Sequence, residues 1–287
     1  MARREAPVTR HWVSAYFALA FAISWGGVLV AVGPNGIPGA ADQFATLLPV
    51  VVLAMLAGPS IAGIALTGLA DGRAGLQEFR SRLLHWRVDA RWYAVALLTA
   101  PLAVAATLLA LSLSAPVFRP GIFTTSQPAS HLLSGLVVGL AAGIFEELGW
   151  TGFAVPRLRL RYGVFATGLI VGFAWGAWHF LVTWWGSTGS AGAVSMTTYL
   201  PVLLFSFLPP YRVLMVWVYD RTGSLLVAML MHASLTASVR IFDPLAISGV
   251  PLLTYNLALA AVLWVVVAGV TAANRGRHGR GKSVLGV

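Results

Sequence analysis

Glu146 and Glu147 in EELGWTGFAVPRL, His179 in VGFAWGAWHF and His232 in SLLVAMLMHASL are titratable side chains set in otherwise apolar runs. A carboxylate beside an imidazole can hold a water and take its proton, and a second imidazole can donate to the oxyanion of a tetrahedral intermediate. Two imidazoles and one carboxylate are equally a ligand set for a catalytic Zn2+ with an open fourth position, the adjacent carboxylate then serving as general base toward the bound water. Both routes hydrolyse an amide, so a metalloprotease and a metal-free glutamate protease stay open. Each residue also has a structural reading. A histidine within a span can be a hydrogen-bonded packing residue, and the two carboxylates can belong to an ion network with Arg212 or an arginine of the 157–161 cluster. Consecutive helix positions point about 100° apart, so the two glutamates need separate partners.

These residues must be positioned by membrane helices. The 287-residue chain is 58% hydrophobic and 10% charged, with a mean hydropathy of +0.82. Such a composition cannot cover its apolar surface around a water-soluble core, so the expected partner of most of it is the lipid bilayer. No cysteine is present, so a metal ligand or nucleophile must come from His, carboxylates or hydroxyls. The net charge of +10 does not point to nucleic acid, because the arginines flank apolar segments instead of forming a basic face. Their near-exclusive use over lysine, with abundant Ala, Gly and Val, hints at a bacterial source.

Crossing ~30 Å of hydrocarbon takes about 20 apolar residues. Runs of that length fall at 12–32, 44–70, 92–113, 132–155, 164–185, 198–219, 224–240 and 254–273. The prediction is an all-α, polytopic bundle of about eight transmembrane helices forming a single domain over 1–287. The first run is too long for a signal-peptide core and is read as a retained span. With a cytoplasmic amino terminus, sixteen loop Arg and Lys residues fall inside, among them Arg3, Arg4, Arg73, Arg159 and Arg221, against Arg119 and Arg240 outside. Both termini are therefore expected in the cytoplasm of a multi-pass protein of the cell membrane. Arg212, in LPPYRVLMVW, is left within the sixth span and needs a partner there.

Depth constrains the site. Glu146 and His179 reach similar heights, ~21 and ~22 Å above the basic end at 1.5 Å per residue, only if the fourth helix continues past Pro156 to about Leu160, with Pro156 marking a kink. The stretch 75–93 carries Leu76, Phe79 and Leu83 at helical spacing, which fits either a short interfacial helix or a basic loop. Trp12, Trp92, Trp184 and Trp185 are expected at span ends as an aromatic belt.

The ordered set EELGWTGFAVPRL, Trp175–His179 and WVYDRTGSLLVAMLMHAS resembles the three motifs of the CAAX-processing and bacteriocin-processing (CPBP, or Abi) intramembrane proteases, over roughly 130–240. The resemblance implies a bundle of about eight helices and hydrolysis of a membrane-associated peptide or protein substrate. By the same resemblance, Glu146 and His179 position and activate water, Glu147 supports them, and His232 stabilises the oxyanion. Three positions depart from the family pattern: Thr151 where the first motif carries Arg, Thr236 where the third carries Asn, and Trp175 where the second carries Phe. Arg212 is expected to replace the missing charge by approaching Glu146 or Glu147, and Thr236 to give one hydrogen bond at the oxyanion. Two readings from other classes remain beside the endopeptidase. One is a non-catalytic scaffold or immunity-type protein of the same fold; the other is a proton-coupled transporter, against which the lack of an inverted repeat argues.

Overall fold

In lipid every backbone N–H and C=O must be satisfied within the protein, which leaves an apolar run of about 20 residues the helix as its only open-chain solution. The computed structural model describes residues 8–33, 35–187 and 190–282, so Arg3 and Arg4 of the charge count lie outside the described residues. Among those described there are no strands. Within the described residues, eight helices are long and apolar enough to cross a membrane: His11–Val32, Thr46–Leu83, Ala90–Ser112, Pro128–Arg159, Val164–Trp185, Met196–Thr222, Leu225–Phe242 and Gly249–Ala273. The all-α, eight-span expectation is met.

Several boundaries differ from the sequence reading. The second span does not end near residue 70 but continues to Leu83, broken at Gly72, whose φ of 62° and ψ of −151° only glycine adopts without strain. Beyond that break the helix lays Phe79 against Leu225 and Met229, with Leu83 and Leu148 alongside, while Leu76 stays exposed. The 75–83 stretch is thus a helix docked on the end of the bundle, and its inward face is Phe79 and Leu83. Trp185 is not a belt residue; it is fully buried and stacks on Phe44 at 4.9 Å.

The fourth span does run to Arg159. Its irregularity is a π-helical turn over Trp150–Ala154, and Pro156 sits in the first turn of the helix that follows. The local cause is visible in the ladder. The Gly149 N–H turns to Glu146 O, three residues back, while the Phe145 carbonyl accepts the Ser60 hydroxyl from the second span.

Glycines set how closely the site-bearing spans approach. Gly135, Gly139 and Gly143 face the seventh span, and Gly168, Gly172 and Gly176 face the sixth. Small residues four apart let helix backbones meet in lipid, where close packing and polar contacts replace the hydrophobic drive. A Cβ on Gly143 would lie 2.4 Å from Met229 O and 2.8 Å from Ala233 N, both backbone atoms that cannot rotate away. Gly143→Ala is therefore expected to push the fourth and seventh spans apart and to lower stability by roughly 1–3 kcal/mol. Thermal unfolding of the purified variant in detergent measures this, and an unchanged midpoint would show that the approach is not tight.

Candidate active site

The end of the regular fourth helix carries both glutamates into the bundle, and their angular separation sends them to different neighbours. Glu147 is fully buried and enclosed by donors. Its Oε1 accepts from Arg212 Nη1 at 2.7 Å and His232 Nδ1 at 2.6 Å, and its Oε2 accepts from Arg212 Nη1 at 2.9 Å and from the Thr151 hydroxyl. Thr151 stands one turn beyond Glu147 in the same span, so the residue in place of the family's arginine supplies a hydrogen bond but no charge. The charge comes from Arg212, whose guanidinium lies over the Trp175 ring at 4.2 Å. A proline pair, Pro209 and Pro210, opens the Leu208–Thr222 helix that carries Arg212 into the core with no solvent exposure.

The expectation that Arg212 reaches one of the glutamates is met at Glu147. Two arginines of the 157–161 cluster pair elsewhere: Arg157 with Asp71, and Arg159 with Asp220 at 2.6 Å. A carboxylate so enclosed has little capacity left to accept a proton from substrate water. It holds its donors in place instead, and an ion pair with every lone pair engaged is the form in which a buried charge is tolerated.

Glu146 is placed differently. Its Oε2 accepts from Trp175 Nε1 at 2.7 Å and lies 3.9 Å from His232 Nε2, beyond direct hydrogen bonding but close enough for one water to touch both. It lines a cavity of about 570 Å3 together with Trp175, His179, His232 and Thr236. His179 interrupts the fifth span between Val164–Trp178 and Phe180–Trp185. Its Nδ1 lies 2.9 Å from the Trp175 carbonyl, an oxygen that only accepts, so Nδ1 carries the proton and Nε2 is left with its lone pair. Trp175 and Trp178 flank the ring edge-on, with centroids at 5.5 and 4.6 Å. The same logic fixes His232: Nδ1 donates to Glu147 and Nε2 is turned toward Glu146.

The structure thus brings Glu146, Glu147, His232, Arg212 and Trp175 into one bonded cluster. His179 joins through the Trp175 carbonyl and the shared cavity, and Thr236 lines the wall one turn beyond His232. Sequence reasoning missed the first span's part. Trp25 Nε1 donates to the Trp178 carbonyl at 2.8 Å, next to His179, and Tyr16 packs edge-on against Trp150 at 5.5 Å. Neither residue carries a local motif, and only the spatial neighbourhood singles them out.

For a metal, two imidazoles and a carboxylate are suitable donor types. Among the described residues, however, no group of three His, Asp or Glu side chains is arranged to hold an ion. At the far end of the cavity, beyond the seventh span, Asp243 accepts from the Tyr255 hydroxyl at 2.8 Å. Burial pushes its carboxyl up to about 7, against the opposing pull of the Tyr255 bond and Arg240.

Residues 128–238 match the family model for Rce1-like proteins, the type II CAAX prenyl endopeptidases. The Rce1-like stretch begins with the fourth span and ends within the seventh, so it contains all three motifs and Arg212. The chain is also similar to CAAX prenyl protease 2 of Methanococcus maripaludis, with 27% identity over 94 residues, a match spanning 32% of this chain and 35% of that relative. The family resemblance carried by the three motifs is thereby upheld.

Proposed function

We propose that the protein is an intramembrane endopeptidase that hydrolyses a peptide bond of a membrane-presented substrate. The observation that carries this reading is the contrast between the glutamates. Glu147 is fully engaged by Arg212, Thr151 and His232, whereas Glu146 faces the cavity and, among the described residues, has Trp175 as its one bonded donor. A water seated there gives one hydrogen to Glu146 and the other toward His179 Nε2, which aims its lone pair at a substrate carbonyl. Glu146 takes the proton as the water attacks and returns it to the leaving amine as the C–N bond breaks. His232, oriented by Glu147, donates from Nε2 in its protonated form to the oxyanion, and Thr236 adds a donor along the same wall. No step here passes through a metal.

The name of the archaeal relative, CAAX prenyl protease 2, points to a prenylated carboxy-terminal peptide as the substrate to try first. The purified protein in liposomes is expected to cleave such a peptide, or another lipid-anchored one, in preference to its unanchored form. His179→Ala is expected to lower the rate by about 10²-fold or more. Absence of cleavage of every anchored peptide favours the scaffold reading. Chelator treatment is expected to leave the rate unchanged, and loss of activity that one Zn2+ per chain restores would replace direct activation by a Zn2+ site built from Glu146, His179 and His232.

The same reading places the protein in a cell membrane with both termini in the cytoplasm. Reporter fusions after residues 120 and 190 are expected to read as external, and those after 85, 160 and 280 as cytoplasmic. An external signal at 160 overturns this orientation.

A further inference from the structure

The cavity that Glu146 lines is placed asymmetrically along the bundle. From the level of Glu146, His179 and His232 its walls extend toward the end that carries Pro128, Trp185 and Phe242, through Met55, Val138, Thr183, Leu203 and Val239. Arg240, Asp243 and Asn256 border its far part. Ionisable side chains at that depth of a span belong where water reaches them, so this polar rim marks a mouth. From His232 to Asp243 the seventh span climbs ~16 Å at 1.5 Å per residue.

The opposite end is closed. On that side of the cluster, Trp150, Phe153 and Val155 of the fourth span and Leu225 and Ala228 of the seventh have no solvent exposure. Phe79, from the helical segment beyond Gly72, is wedged against Gly152, where an added Cβ would lie 2.5 Å from its ring. Arg82 donates to the Tyr219 hydroxyl at 3.0 Å across the same face. This closed end is the one whose loops hold most of the arginines, the end read as cytoplasmic from the distribution of basic residues.

We propose that the site takes its peptide from the external face of the membrane, the substrate threading an extended segment down the cavity to Glu146. The proposal rests on the endopeptidase reading and on the orientation given above. An extended residue covers about 3.4 Å, so a depth of ~16 Å takes about five of them. Substrates must therefore present unfolded chain at the external surface, and a cytoplasmic peptide of the same sequence has no path to the carboxylate.

The chain has no cysteine, so single cysteines report access without background. Ala141 lines the cavity ~7.5 Å above Glu146, Thr183 lies nearer the mouth, and His85 is exposed at the closed end. Ala141→Cys and Thr183→Cys are expected to react with a charged, membrane-impermeant methanethiosulfonate in sealed right-side-out vesicles, to the same extent as after detergent opens them. His85→Cys is expected to react only after opening. Reaction of Ala141→Cys only after opening overturns the proposal, because the path then leads from the cytoplasm. No reaction of Ala141→Cys even in opened vesicles overturns it as well, since no water path then reaches the glutamates. If His85→Cys reacts in sealed vesicles, the orientation is reversed and the proposal falls with it. Cleavage is not needed for any of these results, so failure of the endopeptidase reading shows separately, in the liposome assay.

Discussion

Glu146→Gln is expected to reduce peptide cleavage by about 10²-fold or more while leaving the fold and its thermal midpoint intact. The two halves of that result come from different atoms. The amide oxygen of Gln can still accept from Trp175 Nε1, which donates to Glu146 at 2.7 Å, so the packing around the indole need not change. What the amide cannot do is take a proton from water, and that is the step assigned to the carboxylate. Cleavage measured in liposomes beside thermal unfolding separates the two. Equal rates for wild type and Glu146→Gln would remove the general-base role and favour a non-catalytic scaffold.

Arg212→Ala is expected to act on stability as well as on cleavage. It strips the cation from a carboxylate that has no solvent exposure and leaves His232 and Thr151 as the remaining donors to Glu147. Removing one partner of a buried pair costs roughly 3–5 kcal/mol, because the other charge stays behind uncompensated. The Trp175 ring also loses the guanidinium lying over it at 4.2 Å, so the indole that positions Glu146 is loosened at the same time. A fall in thermal midpoint together with loss of cleavage is therefore expected. Adding Thr151→Arg to Arg212→Ala returns a cation from the fourth span, one turn from Glu147, and is expected to recover part of both. If the single change leaves the midpoint where it was, the pair is not what tolerates Glu147 in the core.

The span count and the residues of the candidate site were legible because lipid makes both conspicuous. A run of about 20 apolar residues has few alternatives to a helix, and a charge inside such a run must be explained. The same logic located Arg212 before its partner was known, since an unpaired guanidinium and a pair of adjacent carboxylates are each costly alone. The division of labour proposed for Glu146 and Glu147 was carried by the family resemblance and not by the residues themselves, because adjacency says only that they diverge. The π turn at Trp150–Ala154 was not legible. It depends on Ser60 of another span taking the Phe145 carbonyl, and no local pattern announces a contact 85 residues away. The burial of Trp185 was missed for a related reason: tryptophan suits both an interface and a core, and the stacking of Phe44 decides between them.

The row of glycines along the fourth span has a consequence for how that helix finds its mate. Gly135, Gly139 and Gly143 repeat every four residues, and Ala233 and Ala237 opposite them repeat at the same interval. Two such combs fit together again after a slide of one tooth, about 6 Å along the axis. Shape alone therefore offers more than one way to mesh them. The slide carries His232 and Glu147 past each other, however, and breaks the bond from His232 Nδ1 to the carboxylate. Of the meshings that the small residues permit, the polar cluster selects one, so the groups assigned to chemistry also act as the key that sets the alignment of the helices bearing them.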